Sequence, residues 1–335
     1  MKCYTNNRRA SKLLIVTGAA GFIGSTMVKY LINNNLIEGK ILLIDKLTYA
    51  GDLNNLSEIL NNPNVIFMES DIADTDSFIS FIDNETIIIN FAAESHVDRS
   101  ISSSDEFIHS NILSAFKLLR AFHEKNGKIF MQISTDEVYG SLVSGFASEE
   151  SSINPNSPYS GSKASADILM MSYARTFNLD LRISRCGNNY GPNQHPEKLL
   201  PMTIINTIKN KDIPVYGNGL NIRNWIYVYD HCEAIWSILQ SGKKQEIYNI
   251  EGDDYFKNID LVEKIIITIG NSSTKVKYVQ DRLGHDFRYA ISSDKIKQSL
   301  GYHPKHKFEE ALSFTIDWYT KNPNWWVPKI NNLKS

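Results

Sequence analysis

KLLIVTGAAGFIGSTMVKYLINNNLIEGKILLIDK, residues 12–46, decides the fold. An apolar run from Leu13 to Val16 has strand length. A glycine-rich turn follows, then a helical stretch from Ile23 to Ile32, then a second apolar run from Ile41 to Ile44. This is a strand–helix–strand unit of the length that a parallel crossover needs. Gly18, Gly21 and Gly24 fall in the turn as G-x-x-G-x-x-G. Missing side chains let a pyrophosphate approach the backbone, and the helix start offers N–H donors and the positive end of its dipole. Asp45 ends the second strand, where a carboxylate can accept both ribose hydroxyls and repel a 2′-phosphate, so the pattern favours NAD over NADP. Lys46 beside it pulls the other way.

Outward from this unit, further apolar runs occur at Val65–Met68, ending near Asp71 and Ile72, at Thr86–Phe91, ending in Ala92 and Ala93, and at Lys128–Ile133. Helices are expected between them, at Asp74–Ile82 and Asp105–His123. The alternation predicts an α/β fold, a Rossmann-like doubly wound parallel sheet with ligands at the carboxyl ends of its strands. Small Ala92 and Ala93 leave room for a flat cofactor ring or simply pack. A long helix is expected at Tyr159–Phe177, then a strand at Leu181–Ser184. Beyond Arg185 the chain turns rich in Asn, Gly and Pro around one helix, Leu199–Lys209, as loops of a specificity region do. Strands are expected at Trp225–Val228 and Glu246–Ile250, with a helix at His231–Gln240. Helices near Ile259–Ile269, Asp294–Leu300 and Phe308–Tyr319 complete a smaller C-terminal substrate-binding lobe. The expected division is 1–186 plus 223–250 for the dinucleotide-binding domain, with 1–11 a loose extension, and 187–222 plus 251–335 for the lobe.

The 335 residues are 42% hydrophobic and 21% charged, ordinary for a globular protein. A net charge of −2 gives no reason to expect nucleic acid or an anionic membrane as partner. Cys3, Cys186 and Cys232 are odd in number and far apart. That argues against a disulfide framework or a zinc site and fits a reducing compartment, so a cytoplasmic protein with no metal is expected. No stretch suits a signal peptide or a membrane span.

Ser134-Thr135-Asp136-Glu137 follows the apolar run ending at Ile133, so its two carboxylates are expected in the cleft. Tyr159 and Lys163 share one helix face at i, i+4. A hydroxyl, two acids, a phenol and an amine then converge, which is an arrangement for chemistry.

With TGAAGFIG at 17–24, IDKLTYAG at 44–51, AAESHVDRS at 92–100, STDEVYG at 134–140 and YSGSK at 159–163, the chain resembles the extended short-chain dehydrogenase/reductases. Within them it is most similar to the dTDP-glucose 4,6-dehydratases, over about residues 12–320. The resemblance implies NAD, held by Gly18, Gly21, Phe22, Ile23, Gly24, Asp45, Lys46, Thr48, Gly51, Asp71, Ile72, Ala92, Ala93, Ser95, Tyr159 and Lys163. It implies that Lys163 draws down the phenol pKa of Tyr159, ordinarily ~10. Tyr159 then takes the proton from the sugar 4-hydroxyl, which Thr135 orients. Glu137 removes the carbon 5 proton, and protonated Asp136 gives one to the departing 6-hydroxyl. Adjacent acids in opposite protonation states need environments that push their pKa values apart. The implied substrate residues are His96, Asn188, Lys198, Leu199, Pro214, Tyr216, Arg223, Asn258, Arg282 and His285. They would hold a nucleotide diphosphate sugar, with Arg223 and Arg282 on phosphate and Tyr216 on the base. The chain departs from the family at Asn224, Tyr229, Glu251 and Asp253-Asp254-Tyr255. Family membership also implies a homodimer through the helices at Asp105–His123 and Tyr159–Phe177. The rival readings are a nucleotide-sugar 4-epimerase or decarboxylase, which have no use for Asp136, and a non-catalytic dinucleotide-binding protein, which has no need to keep Tyr159 and Lys163.

Overall fold

The computed structural model describes residues 13–271 and 273–332. The extension expected at 1–11 lies outside them. The first half runs β1 (Leu13–Thr17), α1 (Phe22–Asn33), β2 (Lys40–Asp45), β3 (Val65–Glu69), β4 (Ile87–Asn90), α2 (Val97–Ser102), α3 (Ser104–Phe107), α4 (Ala115–Glu124), β5 (Ile129–Thr135), α5 (Pro158–Phe177) and β6 (Leu181–Cys186). The second half runs β7 (Asn188–Tyr190), α6 (Leu199–Ile208), β8 (Ile213–Tyr216), β9 (Ile222–Tyr227), α7 (Val228–Ser241), β10 (Ile247–Ile250), β11 (Asp254–Lys257), α8 (Asn258–Ile269) and β12 (Val276–Val279). Three helices end it: α9 (Asp294–Leu300), α10 (Phe308–Lys321) and α11 (Pro323–Asn332).

Seven strands form a parallel sheet in the order β3-β2-β1-β4-β5-β6-β10. The runs of Leu, Ile and Val that form it are apolar on both faces because helices cover both. Leu14 and Val16 point into one core with Met27 and Val28 of α1 and Ile235 of α7. Ile15, between them, points into the other with Leu118 and Phe122 of α4 and Met170 of α5. The chain steps to one side of β1 for β2 and β3 and to the other for β4 onward. The crevice outside the carboxyl ends of β1 and β4 is therefore the switch point where ligands bind in such sheets.

Three elements differ from expectation. Asp74–Ile82 forms two short 3-10 turns, Thr75–Ser77 and Ile79–Phe81. There the Ser77 hydroxyl donates to the Asp74 carbonyl at 2.8 Å, a local bond that competes with helix. The helix expected at Asp105–His123 is interrupted by a π-helical segment, Ile108–Ser114. The strand at 222–227 lies outside the large sheet, pairing with β7 and β11. Of the segment 223–250, α7 and β10 are thus the parts that pack on the large sheet. The helix α2, the strands β7 and β11, the parallel pair β8–β12 and the helix α11, which begins at Pro323 and holds Pro328 inside it, were not expected.

Candidate active site

A cleft of about 310 Å³ runs along the carboxyl ends of the strands. It is lined by all sixteen residues expected to hold the cofactor, and by Thr135, Asp136 and Glu137.

At one end the glycine turn joins β1 to α1. Gly18 has φ +63°, and a β-carbon there would stand 2.6 Å from the backbone nitrogen of Ala92. One on Gly24 would stand 2.3 Å from the Gly18 carbonyl oxygen. Only glycine lets β1, β4 and α1 approach this closely, leaving a shallow cradle of backbone. No side chain caps α1, so the N–H groups of its first turn face the cleft. A dinucleotide pyrophosphate fits such a cradle. Asp45 accepts from Ala20 N–H at 2.9 Å and Leu47 N–H at 2.8 Å, which fixes its two oxygens while each keeps a lone pair for a ribose hydroxyl. Lys46 is drawn to Asp71 at the end of β3, 3.4 Å away. Past Ala92 and Ala93, the backbone of Glu94 is clamped by Asn111 of the π segment, which accepts from its N–H at 2.8 Å and donates to its carbonyl at 2.9 Å. The same amide reaches Ser162 on α5 at 2.9 Å.

At the other end β5 runs out at Thr135 into a 3-10 turn, Asp136–Tyr139. Thr135 caps it, accepting from Glu137 N–H and donating to Asp136 Oδ1, each at 3.3 Å. Asp136 is 3% exposed and its Oδ2 has no partner. Burial, and then the neighbouring Glu137, push its pKa up to about 8. Burial also holds the Glu137 pKa above its ordinary value, an effect that Arg223, Lys198 and Arg282 offset in part. Arg223 acts on both acids, while Lys198 and Arg282 act on Glu137 besides, so the two sit in unlike surroundings.

Helix α5 starts from a capping box between Ser157 and Ser160 with Pro158 in its first turn, and it holds Tyr159 and Lys163 buried in the cleft. Lys163 donates to the Ile133 carbonyl at 2.6 Å. Burial lowers its pKa, and Asp167, one turn further on, raises it. Asp167 is itself fixed by Arg185 at 2.9 Å and the Ser134 hydroxyl at 3.0 Å. Burial, followed by Glu137, holds the Tyr159 phenol well above 10; a hydrogen bond with Thr135 opposes this. In this structure the nearest charges acting on the phenol are thus acids, and the Lys163 ammonium is turned to a backbone carbonyl.

The expected substrate residues divide into three groups. Asn188 and Lys198 line the cleft, Lys198 donating to the Ser95 carbonyl at 2.9 Å, and Leu199 follows as the first residue of α6. His96 caps α2 and lies 3.4 Å from Glu197, its pKa lowered to about 4 by burial and Lys198. A second group gathers on Asp98, which the sequence did not single out. Arg282 Nε lies 2.6 Å from Asp98 Oδ1 and Nη2 donates to Oδ2 at 3.1 Å; the Tyr216 hydroxyl donates there too. Arg282 stands over the Tyr216 ring, His285 meets that ring edge-on, and Pro214 precedes it on β8. The third group is held by backbone. Arg223 is 6% exposed, donates to the carbonyls of Ile222, Asp286 and Phe287, and stacks on Tyr289. Asn258 begins α8 with its Oδ1 buried and unpartnered. Tyr289, also unanticipated, donates to Glu137 at 3.3 Å.

The departures find partners, some among themselves and some outside the set. The Tyr255 hydroxyl donates to Glu251 at 2.7 Å, and Glu251 also accepts from Ser293 and Lys297. Asn224 exchanges two bonds with the backbone of Gly252, at 2.7 and 2.8 Å. Tyr229 packs on Tyr227, ring centres 5.4 Å apart.

Comparison with known proteins places this geometry in context. Residues 15–315 match the family model described as GDP-mannose 4,6 dehydratase. The chain is 42% identical to a dTDP-glucose 4,6-dehydratase of Streptomyces niveus, covering 94% of this chain and 95% of that protein. It is 43% identical to the low-salt glycan biosynthesis protein Agl12 of Haloferax volcanii, covering 91% and 98%. The structure of DesIV, a dTDP-glucose 4,6-dehydratase of Streptomyces venezuelae solved with NAD bound, superposes with a TM-score of 0.92 at 40% identity, covering 95% and 99%.

Proposed function

Because the chain belongs to the extended short-chain dehydrogenase/reductases, in the family of the GDP-mannose 4,6-dehydratase model, we propose that it is an NAD-dependent nucleotide-sugar 4,6-dehydratase. It converts dTDP-glucose, UDP-glucose or both to the 4-keto-6-deoxy sugar. The observation that carries the reading is the pair Asp136 and Glu137, in one cleft with Tyr159, Lys163 and the glycine cradle. Oxidation alone needs only the last three; the pair adds an acid and a base for removing water.

NAD, when bound, accepts the hydride leaving carbon 4 and gives it back at carbon 6, so the cycle is redox-neutral. Gly18, Gly21, Gly24 and Asp45 hold it. Tyr159 takes the proton of the 4-hydroxyl, with Thr135 orienting that hydroxyl and Lys163 able to turn from Ile133 toward the phenolate. The ketone acidifies carbon 5, and Glu137, faced by three cations that favour its ionised form, takes that proton and returns it to carbon 5 as hydride reaches carbon 6. Asp136, held protonated at neutral pH, delivers its proton to the leaving hydroxyl. The smaller lobe, 187–222 and 251–335, holds the nucleotide with Lys198, Arg282, Asn188, Leu199, Pro214, Tyr216, Asn258 and His285, and His96 and Arg223 join them from outside it; Lys198, Arg223 and Arg282 balance charge, and the others shape the pocket. Thymine and uracil differ by one methyl, worth ~1–3 kcal/mol in a fitted pocket, and no residue of the chain excludes either nucleotide. Incubation with each sugar and no added NAD, followed by mass spectrometry, tests this. Loss of one water is expected; sugar left unchanged even with NAD added would refute it.

The enzyme works as a cytoplasmic homodimer. Ile108, Leu113, Ile168 and Phe177, on the helices at 104–124 and 158–177, are 47, 48, 58 and 47% exposed, an apolar surface that a second copy would cover. Cys186 and Cys232 are free thiols, as suits a reducing compartment. Among the described residues no helix is long and apolar enough to cross a membrane. A single sedimenting species of monomer mass would remove the dimer.

A further inference from the structure

The helix α11 follows the last element of the lobe, yet two of its side chains, Trp325 and Lys329, line the same cleft as the glycines and Asp45. Its seating is built. Trp326 is 4% exposed and donates to the Tyr319 carbonyl at 2.8 Å, anchoring the helix to α10. The Trp325 ring lies edge-on to Trp318, centres 5.0 Å apart. Its indole N–H then reaches across the molecule to Asn55 Oδ1 at 2.8 Å. Lys329 forms an ion pair with Asp52 and lies 4.1 Å over the Trp325 ring.

Asp52 and Asn55 are not arbitrary partners. Both belong to the loop after β2, and both hold the glycine turn. The Asp52 N–H and the Asn55 amide donate to the same carbonyl, that of Ala20, at 3.1 and 2.9 Å. The Ala20 N–H in turn donates to Asp45. Asn55 is 1% exposed, and its oxygen is shared with Asn193 from the loop beyond β7. A chain of bonds thus runs from α11 through Asn55 and Asp52 to the turn that cradles the pyrophosphate and the carboxylate that meets the ribose.

We propose that α11 is part of the cofactor site: Trp325 and Lys329 pin the loop after β2 against the glycine turn and so set how fast NAD leaves. The inference rests on the NAD reading above. A redox-neutral cycle has no need to exchange its cofactor, and for a dinucleotide to leave, the loop at 48–56 must part from the turn. While Asn55 and Asp52 are tied to α11, that opening breaks an indole hydrogen bond and an ion pair as well. Trp325 and Lys329 are positioning residues, acting through Asn55 and Asp52.

The test compares the full chain with Trp325→Phe, which keeps an aromatic ring but removes its donor, and with Lys329→Met and Lys329→Arg. NAD retained per chain after gel filtration is measured, with its release rate, and turnover of a dilute sample is measured with and without added NAD. Trp325→Phe and Lys329→Met should release NAD roughly tenfold faster, the effect of losing one or two such bonds. Their turnover should fall on dilution and return when NAD is added, while Lys329→Arg keeps the pair to Asp52 and retains NAD. Variants Trp325→Phe and Lys329→Met that hold NAD like the wild type would overturn the role. So would turnover that added NAD does not restore, the mark of a purely structural defect. A wild-type chain that retains no NAD would overturn the cofactor assignment together with this role.

Discussion

Asp136 shows how one residue can trade stability for chemistry. Its carboxyl is buried beside Glu137 with one oxygen unpartnered, and its pKa is pushed from 3.8 to about 8. A folded-state pKa above the unfolded one means that protonation favours the fold. That contribution is fully present below about pH 3.8 and is lost as pH rises toward 8. Asp136→Asn removes the ionisable group but keeps its shape. It should raise the melting temperature more at pH 8 than at pH 4, while lowering dehydration by about 10²–10⁴-fold, the usual worth of a general acid. In the wild type, kcat should fall as pH rises through about 8, when Asp136 loses its proton. Scanning calorimetry and a kcat–pH profile check both; an Asn variant less stable at pH 8 would contradict the burial account. The acids and the glycines were legible in the sequence because their meaning is local: a strand end, a tight turn, one helix face. That Arg223 is bound to three carbonyls beside the acids was not, since its partners Asp286 and Phe287 lie more than sixty positions away.

Among the elements, the seven parallel strands were readable because each is a short apolar run between turn residues. The π segment at Ile108–Ser114 was not, because its cause is tertiary. Its Asn111 is 1% exposed and holds both backbone groups of Glu94 at the end of β4, beside Ala92 and Ala93. A widened turn of helix is a common device at functional sites. Asn111→Leu leaves the Glu94 N–H and carbonyl without these partners and should cost about 1–3 kcal/mol per group in urea unfolding. It should also lower the NAD retained per chain after gel filtration. A variant of wild-type stability would show that water replaces the amide. Likewise α11 escaped notice because proline both starts it and interrupts it, and because its partner Asn55 lies 270 residues from Trp325.

Across the whole molecule, the proposed division of labour gives the redox half of the site to the sheet and the nucleotide to the lobe, and Glu251 and Tyr255, two of the departures from the family, lie in that lobe. Glu251 serves Tyr255, Ser293 and Lys297 together. Glu251→Gly should therefore destabilise the chain by about 1–3 kcal/mol for each buried donor left unserved. Its kcat should change far less, since Glu251 touches none of the proposed catalytic groups; a fall in kcat as large as that of Asp136→Asn would mean that the lobe shapes the chemistry directly. The Asp98–Arg282 pair joins α2 to the loop after β12 across 184 residues, a contact no motif announces. The central claim is that the acid pair converts a common oxidation into a dehydration, and it is tested most directly by Glu137→Gln. In a single turnover with dTDP-glucose, the absorbance of reduced nicotinamide and the mass of the sugar are followed together. Reduced nicotinamide should accumulate while the sugar keeps its water; dehydrated product from this variant would contradict the account.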